Sequence, residues 1–214
     1  MKSLDWLVQF TEPLYAVRFC KKCGEKKYFI PSGAFRINSN QHYSDIWMIY
    51  KCIECDCTWN LTLFTRIDVR KMDAELYSRF QNNDQMLIDE YSMNEDIVKK
   101  NAGQIELTEY EVLGEELSAT ETIEIYLHAM YPTSLKIRSV ICKKLGISRS
   151  QLGNLISKGA LIGKRVLAGT EEIDLLKARI NDGVYITFFP ERLEGKELAL
   201  LFGERKNAQT YSVE

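Results

Sequence analysis

Histidine is scarce in this chain. His42 and His128 are the only two in 214 residues, and neither stands at ligand spacing from another metal-binding side chain. A catalytic zinc site, which keeps three protein ligands and one open position, commonly draws on histidine, and the HExxH pattern is missing here. So are GxSxG and a phosphate-cradling glycine loop. The carboxylates of residues 71–133 follow one another without the paired spacing of acid–base catalysis. With no constellation to carry a reaction, an enzyme is not expected. No stretch approaches the roughly 18 apolar residues of a membrane-spanning helix. The opening segment, MKSLDWLVQFTEPLY, has charges inside its apolar part and no small-residue cleavage site. It does not read as a signal peptide, and a cytoplasmic location is expected. Prolines number four, and no internal repeat or low-complexity segment stands out.

Cysteine is what the chain does have, six in all. Four form Cys20-Lys-Lys-Cys23-Gly24 and Cys52-Ile-Glu-Cys55, two CxxC pairs with 28 residues between them. Each pair suits a tight turn that aims two thiolates at one point, and two such turns complete a tetrahedral four-sulfur site. Gly24 supplies the backbone freedom that the first turn needs. Lys21, Lys22, Lys26 and Lys27 would offset the two negative charges of a zinc tetrathiolate. Disulfides do not suit the expected compartment. A thioredoxin-like redox pair would open a helix beside a parallel strand, and neither pair has that setting. Structural Zn2+ held by Cys20, Cys23, Cys52 and Cys55 is therefore expected. Cys57 makes only a CxC with Cys55, a poorer turn, and reads as a spare thiol. Cys142 falls beside an apolar helical stripe and reads as a small core residue.

The two pairs sit between strand-like runs. LYAVRF precedes the first and KYFI follows it; DIWMIYKC precedes the second and TWNLTLF follows it. AFRIN and DIWMIYKC flank the polar residues 39–44 as a hairpin would. From about Ile67 the apolar period becomes helical, and Asn94 can cap a short helix, EDIVKK, ended by Gly103. QIELTEYEVL and ETIEIYLHAM read as strands around an acidic connection. The Asp182-Gly183 turn and VYITF close the later part.

Net charge is −2, but the charges are segregated. Residues 71–133 hold 4 basic and 14 acidic side chains, and residues 134–180 hold 10 basic and 3 acidic. Within the basic block, Ser148 and Gln151 form a capping box at a helix start. Leu152, Leu155 and Ile156 give that helix an apolar face, and Gly159 ends it. Ile137, Val140, Ile141 and Leu145 make a second stripe, ended by Gly146. The remaining faces carry Lys136, Arg138, Lys143, Lys144, Arg149 and Lys158.

This stretch, LKIRSVICKKLGISRSQLGNLISKGALIG, resembles the alpha-L RNA-binding motif of the ribosomal small-subunit protein four type. The elements that match are a basic first helix, the Ser148–Gln151 turn, the second helix and Lys158-Gly159. Lys136-Ile137-Arg138 stands where that family often has Arg-Leu-Asp, and a longer loop follows Gly163. The resemblance implies contacts to structured RNA, ribosomal RNA among them. Those contacts would run through Lys136, Arg138, Lys143, Lys144, Ser148, Arg149, Ser150, Asn154 and Lys158. The N-terminal part resembles a zinc ribbon. FRINSN, DIWMIYKCIECDCTWN, FQNND and LGISRSQL together resemble the bacterial family called domain of unknown function 1062, which names no activity.

The expected architecture is α+β. A zinc-ribbon-like β domain covers 1–66, an acidic helical connector with strands 67–133, an alpha-L-like RNA-binding domain 134–190, and a C-terminal helix and tail 191–214. The expected function is that of a non-enzymatic, zinc-containing RNA-binding protein with no membrane or small-molecule partner. A protein-interaction scaffold, with zinc and helices serving only the fold, is the alternative. The two differ in whether the basic face lies open or is packed on residues 71–133.

Overall fold

Leu4, Trp6, Val8 and Phe10 alternate with more exposed residues in Lys2–Phe10, and this segment is strand β1, with those four side chains buried. Alternation of period two places one set on one face of a sheet. In the computed structural model, residues 1–166, 170–180 and 183–203 are described, and their contacts divide into two units. One comprises Met1–Gln9, Val112–Met130 and the described residues from Ser134 onward; the other comprises Phe10–Glu111 and Tyr131–Thr133.

The second unit holds the cysteine pairs. Its strands are β2 (Tyr15–Cys20), β3 (Glu25–Asn40), β4 (Tyr43–Cys52), β5 (Thr58–Asp68) and β6 (Gln104–Glu106), in the spatial order β5-β4-β3-β2-β6. The β3–β4 hairpin closes with Asn40 opposite Tyr43 and runs back to Phe29 opposite Cys52, with a bulge between Pro31 and Phe35. Three helices follow: α1 (Ala74–Gln81), α2 (Gln85–Met93) and α3 (Glu95–Ala102). Asp73, Asp84 and Asn94 cap them, each side chain accepting a backbone N–H of the first turn. Phe80, Leu87, Ile88 and Val98 from these helices share one buried cluster with Ala16, Phe29, Phe35, Ile46, Met48, Tyr50 and Leu61 of the sheet.

The first unit is built on a mixed sheet. The sheet contains β7 (Tyr110–Leu113), β8 (Ile123–Ala129), β9 (Leu161–Val166), β10 (Thr170–Ile173) and β11 (Val184–Phe188), in the order β10-β9-β11-β8-β1-β7. Strand β1 pairs with β8 in parallel, Leu4 opposite Ile125 and Trp6 opposite Leu127, while β8–β11, β11–β9 and β9–β10 are antiparallel. Parallel neighbours need a long crossover. Here the chain between them includes the whole run Phe10–Glu111. Helices α4 (Ile137–Leu145) and α5 (Arg149–Ser157) bury Ile137, Val140, Ile141, Leu145, Leu152 and Leu155. Gly146 adopts the left-handed conformation that turns α4 into the next segment. Both halves of the Ser148–Gln151 capping box are formed. A last helix, α6 (Gly195–Phe202), follows.

The protein thus has two sheets and six α-helices among the described residues. Its grouping differs from the four consecutive segments expected. Residues 1–9 join the later chain through β1, because Leu4, Trp6 and Val8 continue the apolar face made by Ile123, Ile125 and Leu127. The helices expected as a connector instead supply the apolar layer over the cysteine-bearing sheet. Asp182 of the expected turn and residues 204–214 of the expected tail lie outside the described residues.

Leu152 is fully buried in α5, so Leu152→Ala should lower unfolding free energy by about 2–5 kcal/mol in a urea titration. Arg149→Ala, on the exposed side, should change it by less than about 0.5 kcal/mol. Gly114 has φ +117, and a Cβ there would fall on the carbonyl oxygen of Asp5. Gly114→Ala should therefore destabilise the unit at least as much as the leucine truncation.

Candidate metal centre and the basic helices

Strands β2 and β4 each end on the first cysteine of a pair, and β3 and β5 each begin just after the second. The two turns share one backbone plan. The Gly24 N–H donates to the Cys20 carbonyl at 2.9 Å, and the Asp56 N–H donates to the Cys52 carbonyl at 3.0 Å. Gly24 and Asp56 both have positive φ, +77° and 58°. The glycine anticipated in the first turn therefore has an aspartate counterpart in the second, one of the few other residues that tolerate that conformation. Pairing of β3 with β4 sets the two turns side by side.

The result is a four-sulfur cluster. The thiol sulfurs of Cys20, Cys23, Cys52 and Cys55 all lie within 4.8 Å of one another. Cys20 and Cys55 are 3.4 Å apart, and Cys23 and Cys52 are 4.0 Å apart. Metal–sulfur bonds of about 2.3 Å at tetrahedral angles require sulfur separations of about 3.8 Å, which these distances bracket. All four cysteines are free of disulfides. The donor set fits a metal ion that prefers thiolates, and these four residues would hold it.

The local field favours one thiolate from the start. Cys20 is brought down to about 6, first by the backbone N–H of Cys23 and further by hydrogen bonds from Cys55 and Cys23. Cys23 is pushed up by its hydrogen bond with Cys55 and by burial. A thiolate formed at Cys20 is thus held by donors around it, and a metal ion would displace the remaining protons.

The lysines are placed unequally. Lys22 donates its ammonium to the Cys55 carbonyl at 3.2 Å, joining one turn to the other. Lys27 instead pairs with Glu25 at 3.0 Å and approaches Glu54 at 3.9 Å. Cys57 is outside the sulfur cluster, although its carbonyl accepts the Cys52 N–H at 3.0 Å and so supports the second turn. Cys142 is half-buried, and burial raises its thiol pKa against the opposing effect of Arg149 and Arg138.

The nine residues expected to meet RNA are spread over several environments. Arg149, Ser148, Ser150 and Asn154 are exposed at and along α5, and Lys143 is exposed on α4. Ser148 is engaged as the helix cap and shares a 3.0 Å contact with the Ser150 hydroxyl. Lys136 is half-buried just before α4, where its backbone forms an isolated antiparallel β-bridge with that of Arg179. Arg138 turns inward: it donates to the Leu176 carbonyl at 3.2 Å, and its Nε is buried without a hydrogen-bond partner. Lys144 departs most from expectation. Its side chain is only 8% exposed, donating to the Gly114 carbonyl at 2.6 Å and pairing with Glu116 at 3.2 Å. Lys158 pairs with Glu197 of α6 at 2.5 Å, which raises the lysine pKa and lowers that of the glutamate.

A mixed α+β chain with a four-thiol cluster is the class that these features define. The chain belongs to the family described as "Protein of unknown function (DUF1062)", which matches residues 37–166. No curated protein and no solved structure matches it.

Cys23→Ser should abolish binding of one metal equivalent per chain, measured by elemental analysis of protein purified without chelators. Cys57→Ser should retain the full equivalent. Because the ligands must be deprotonated, metal should be released as pH falls, and zinc titration should liberate protons.

Proposed function

We propose that this is a non-enzymatic RNA-binding protein whose fold is completed by a structural zinc ion. Four thiolates at tetrahedral spacing support zinc, because a closed all-sulfur site leaves no position for substrate. Structural zinc contributes on the order of 10–16 kcal/mol of apparent binding free energy in small peptides, so the Phe10–Glu111 unit would depend on it. The resemblance of its two CxxC turns to a zinc ribbon supports the same reading.

The observation that carries the RNA reading is the exposed start of α5. Ser148, Arg149 and Ser150 stand there together, with Asn154 one turn on and Lys143 exposed on α4. Arginine and lysine supply phosphate attraction, hydroxyls and the amide suit phosphates or 2′-hydroxyls, and a helix start adds backbone N–H groups. The likeness of α4 and α5 to the alpha-L motif supports it further. The contact set is smaller than the sequence implied, since Lys144, Arg138, Lys158 and Lys143 all have partners within the protein.

Those internal partners favour a second reading, a protein-interaction scaffold. Glu116, from the acidic block, neutralises Lys144 of the basic block. In that reading the opposite charges of the two blocks serve cohesion.

With about three or four phosphates contacted, log affinity for a structured RNA should fall against log salt with a slope of about −2 to −4. The double variant Lys143→Glu, Arg149→Glu should lose binding in a filter assay and keep its melting temperature, since exposed charges contribute little to stability. Equal binding by both proteins, or none by the wild type at low salt, would favour the scaffold.

A further inference from the structure

The β4 strand shows an unbroken alternation of burial. Ser44, Ile46, Met48, Tyr50 and Cys52 are buried on the side of the helices, while Asp45, Trp47, Ile49 and Lys51 point to the other face. Cross-strand partners share a face. Arg36 opposite Trp47, Ile30 opposite Lys51, and Asn60 opposite Ile49 therefore join that second face. On β2 and β3 the pairs Val17–Tyr28 and Phe19–Lys26 do the same, since their neighbours Ala16, Cys20 and Phe29 point into the core. None of Trp47, Ile49, Tyr28 and Phe19 is packed against the buried cluster.

This face is unusually apolar for one that meets solvent. Phe19 is 62% exposed, Ile53 49% and Ile30 36%. Contiguous exposed apolar surface marks a place of interaction. Charge then selects the occupant. Lys26, Arg36 and Lys51 are all exposed on the same face. Three carboxylates lie nearby: Asp45 accepts the Arg66 N–H at 2.7 Å and Glu106 accepts the Tyr28 hydroxyl at 2.5 Å, neutral donors that leave both acids charged, while Glu54 lies 3.9 Å from Lys27. An apolar protein surface docked here would strand three cations out of water at a cost. A polyanion with flat π-faced units would satisfy both halves of the pattern. A cleft of about 280 Å³ lies beside Tyr28, Val17 and Ile53, lined also by Gln104, by Lys26 and Lys27 and by the carboxylates of Glu54 and Glu106.

We infer that this face of the five-stranded sheet binds a single-stranded stretch of nucleic acid. Trp47, Tyr28 and Phe19 provide stacking surfaces, and Arg36, Lys51 and Lys26 meet the phosphates. The residues of this face belong to the Phe10–Glu111 unit and those of α4 and α5 to the other, so the inference stands apart from the proposal for structured RNA.

The test uses the full chain and fluorescein-labelled oligo(rU) and oligo(dT) of about twelve nucleotides, within the range of known single-strand sites, read by fluorescence anisotropy at low salt. Trp47→Ala, and separately the double variant Arg36→Glu, Lys51→Glu, should each weaken binding at least about tenfold. Circular dichroism and metal content should stay at wild-type values in the charge variant, which removes no apolar contact. The Lys143→Glu, Arg149→Glu protein should bind the oligonucleotides like wild type. Equal affinity for the two oligonucleotides assigns recognition to bases and phosphates; preference for oligo(rU) adds the 2′-hydroxyl, and both support the inference. Unchanged affinity in the sheet variants, or loss only in the helix variant, overturns it. So does failure of the wild type to bind either strand, including the case in which concentration-dependent dimerisation shows the face to be covered by a second copy. Structured RNA bound without the oligonucleotides would leave the helix proposal standing alone, and the reverse result would leave this one.

Discussion

Pairing of β3 with β4 is the constraint on which the metal centre depends. The two CxxC turns are formed locally, each around one backbone hydrogen bond across five residues and one residue of positive φ, with a further bond from the Cys52 N–H to the Cys57 carbonyl in the second. Neither turn alone offers more than two sulfurs. It is the hairpin, closing at residues 40–43 and running back to Phe29 opposite Cys52, that returns the second turn to the first. Its register is held by burial: a slip of one residue would turn Ile46, Met48, Tyr50 and Cys52 to the outer face and break core and cluster together. Sulfur geometry and apolar packing therefore select the same register. A metal ion at that point would reinforce the hairpin that assembled its ligands, which is how binding energy becomes folding energy.

The other unit has the opposite dependence on chain order. Its central neighbours β1 and β8 come from opposite sides of the Phe10–Glu111 run, so their pairing must wait for the intervening chain. Closing a long connection costs entropy before contacts offset it, although the cost rises only slowly with length. What offsets it is burial, since Leu4, Trp6 and Val8 meet Ile123, Ile125 and Leu127, all inaccessible or nearly so. The cysteine-bearing unit, nearly continuous in sequence, needs no such closure. Its three capped helices complete a core from adjacent chain.

Much of this was legible where local physics decides. The spacing of Cys20, Cys23, Cys52 and Cys55, the Ser39–Ser44 connection, the cap at Asn94 and the capping box at Ser148 each rest on a few neighbouring residues, and each was readable. Strand β1 was missed as a partner of β8, although Leu4, Trp6, Val8 and Phe10 alternate plainly. Alternation tells which residues face a core, but not which core. The helices of residues 74–102 were likewise readable as helices and misread as a connector, because Phe80 and Val98 do not announce which sheet they cover. Trp59, just after the second cysteine pair, packs against Tyr50 and Phe29 under the Arg18 guanidinium.

Charge was the least reliable guide, for a physical reason. A count of lysines and arginines in a segment measures the cations that exist, while binding depends on those whose field reaches solvent. Lys144 and Lys158 sit on the same two helices as Arg149, yet carboxylates within the fold already satisfy them. The guanidinium of Arg138 is drawn to a carbonyl of a neighbouring loop. On the sheet face Arg36 and Lys51 are exposed, Glu54 lies near Lys27, and Asp45 and Glu106 accept hydrogen bonds from neutral donors. A segment's charge count therefore does not fix the field that its surface presents. Surface potential is set by which charges are already paired, and pairing is decided by the fold.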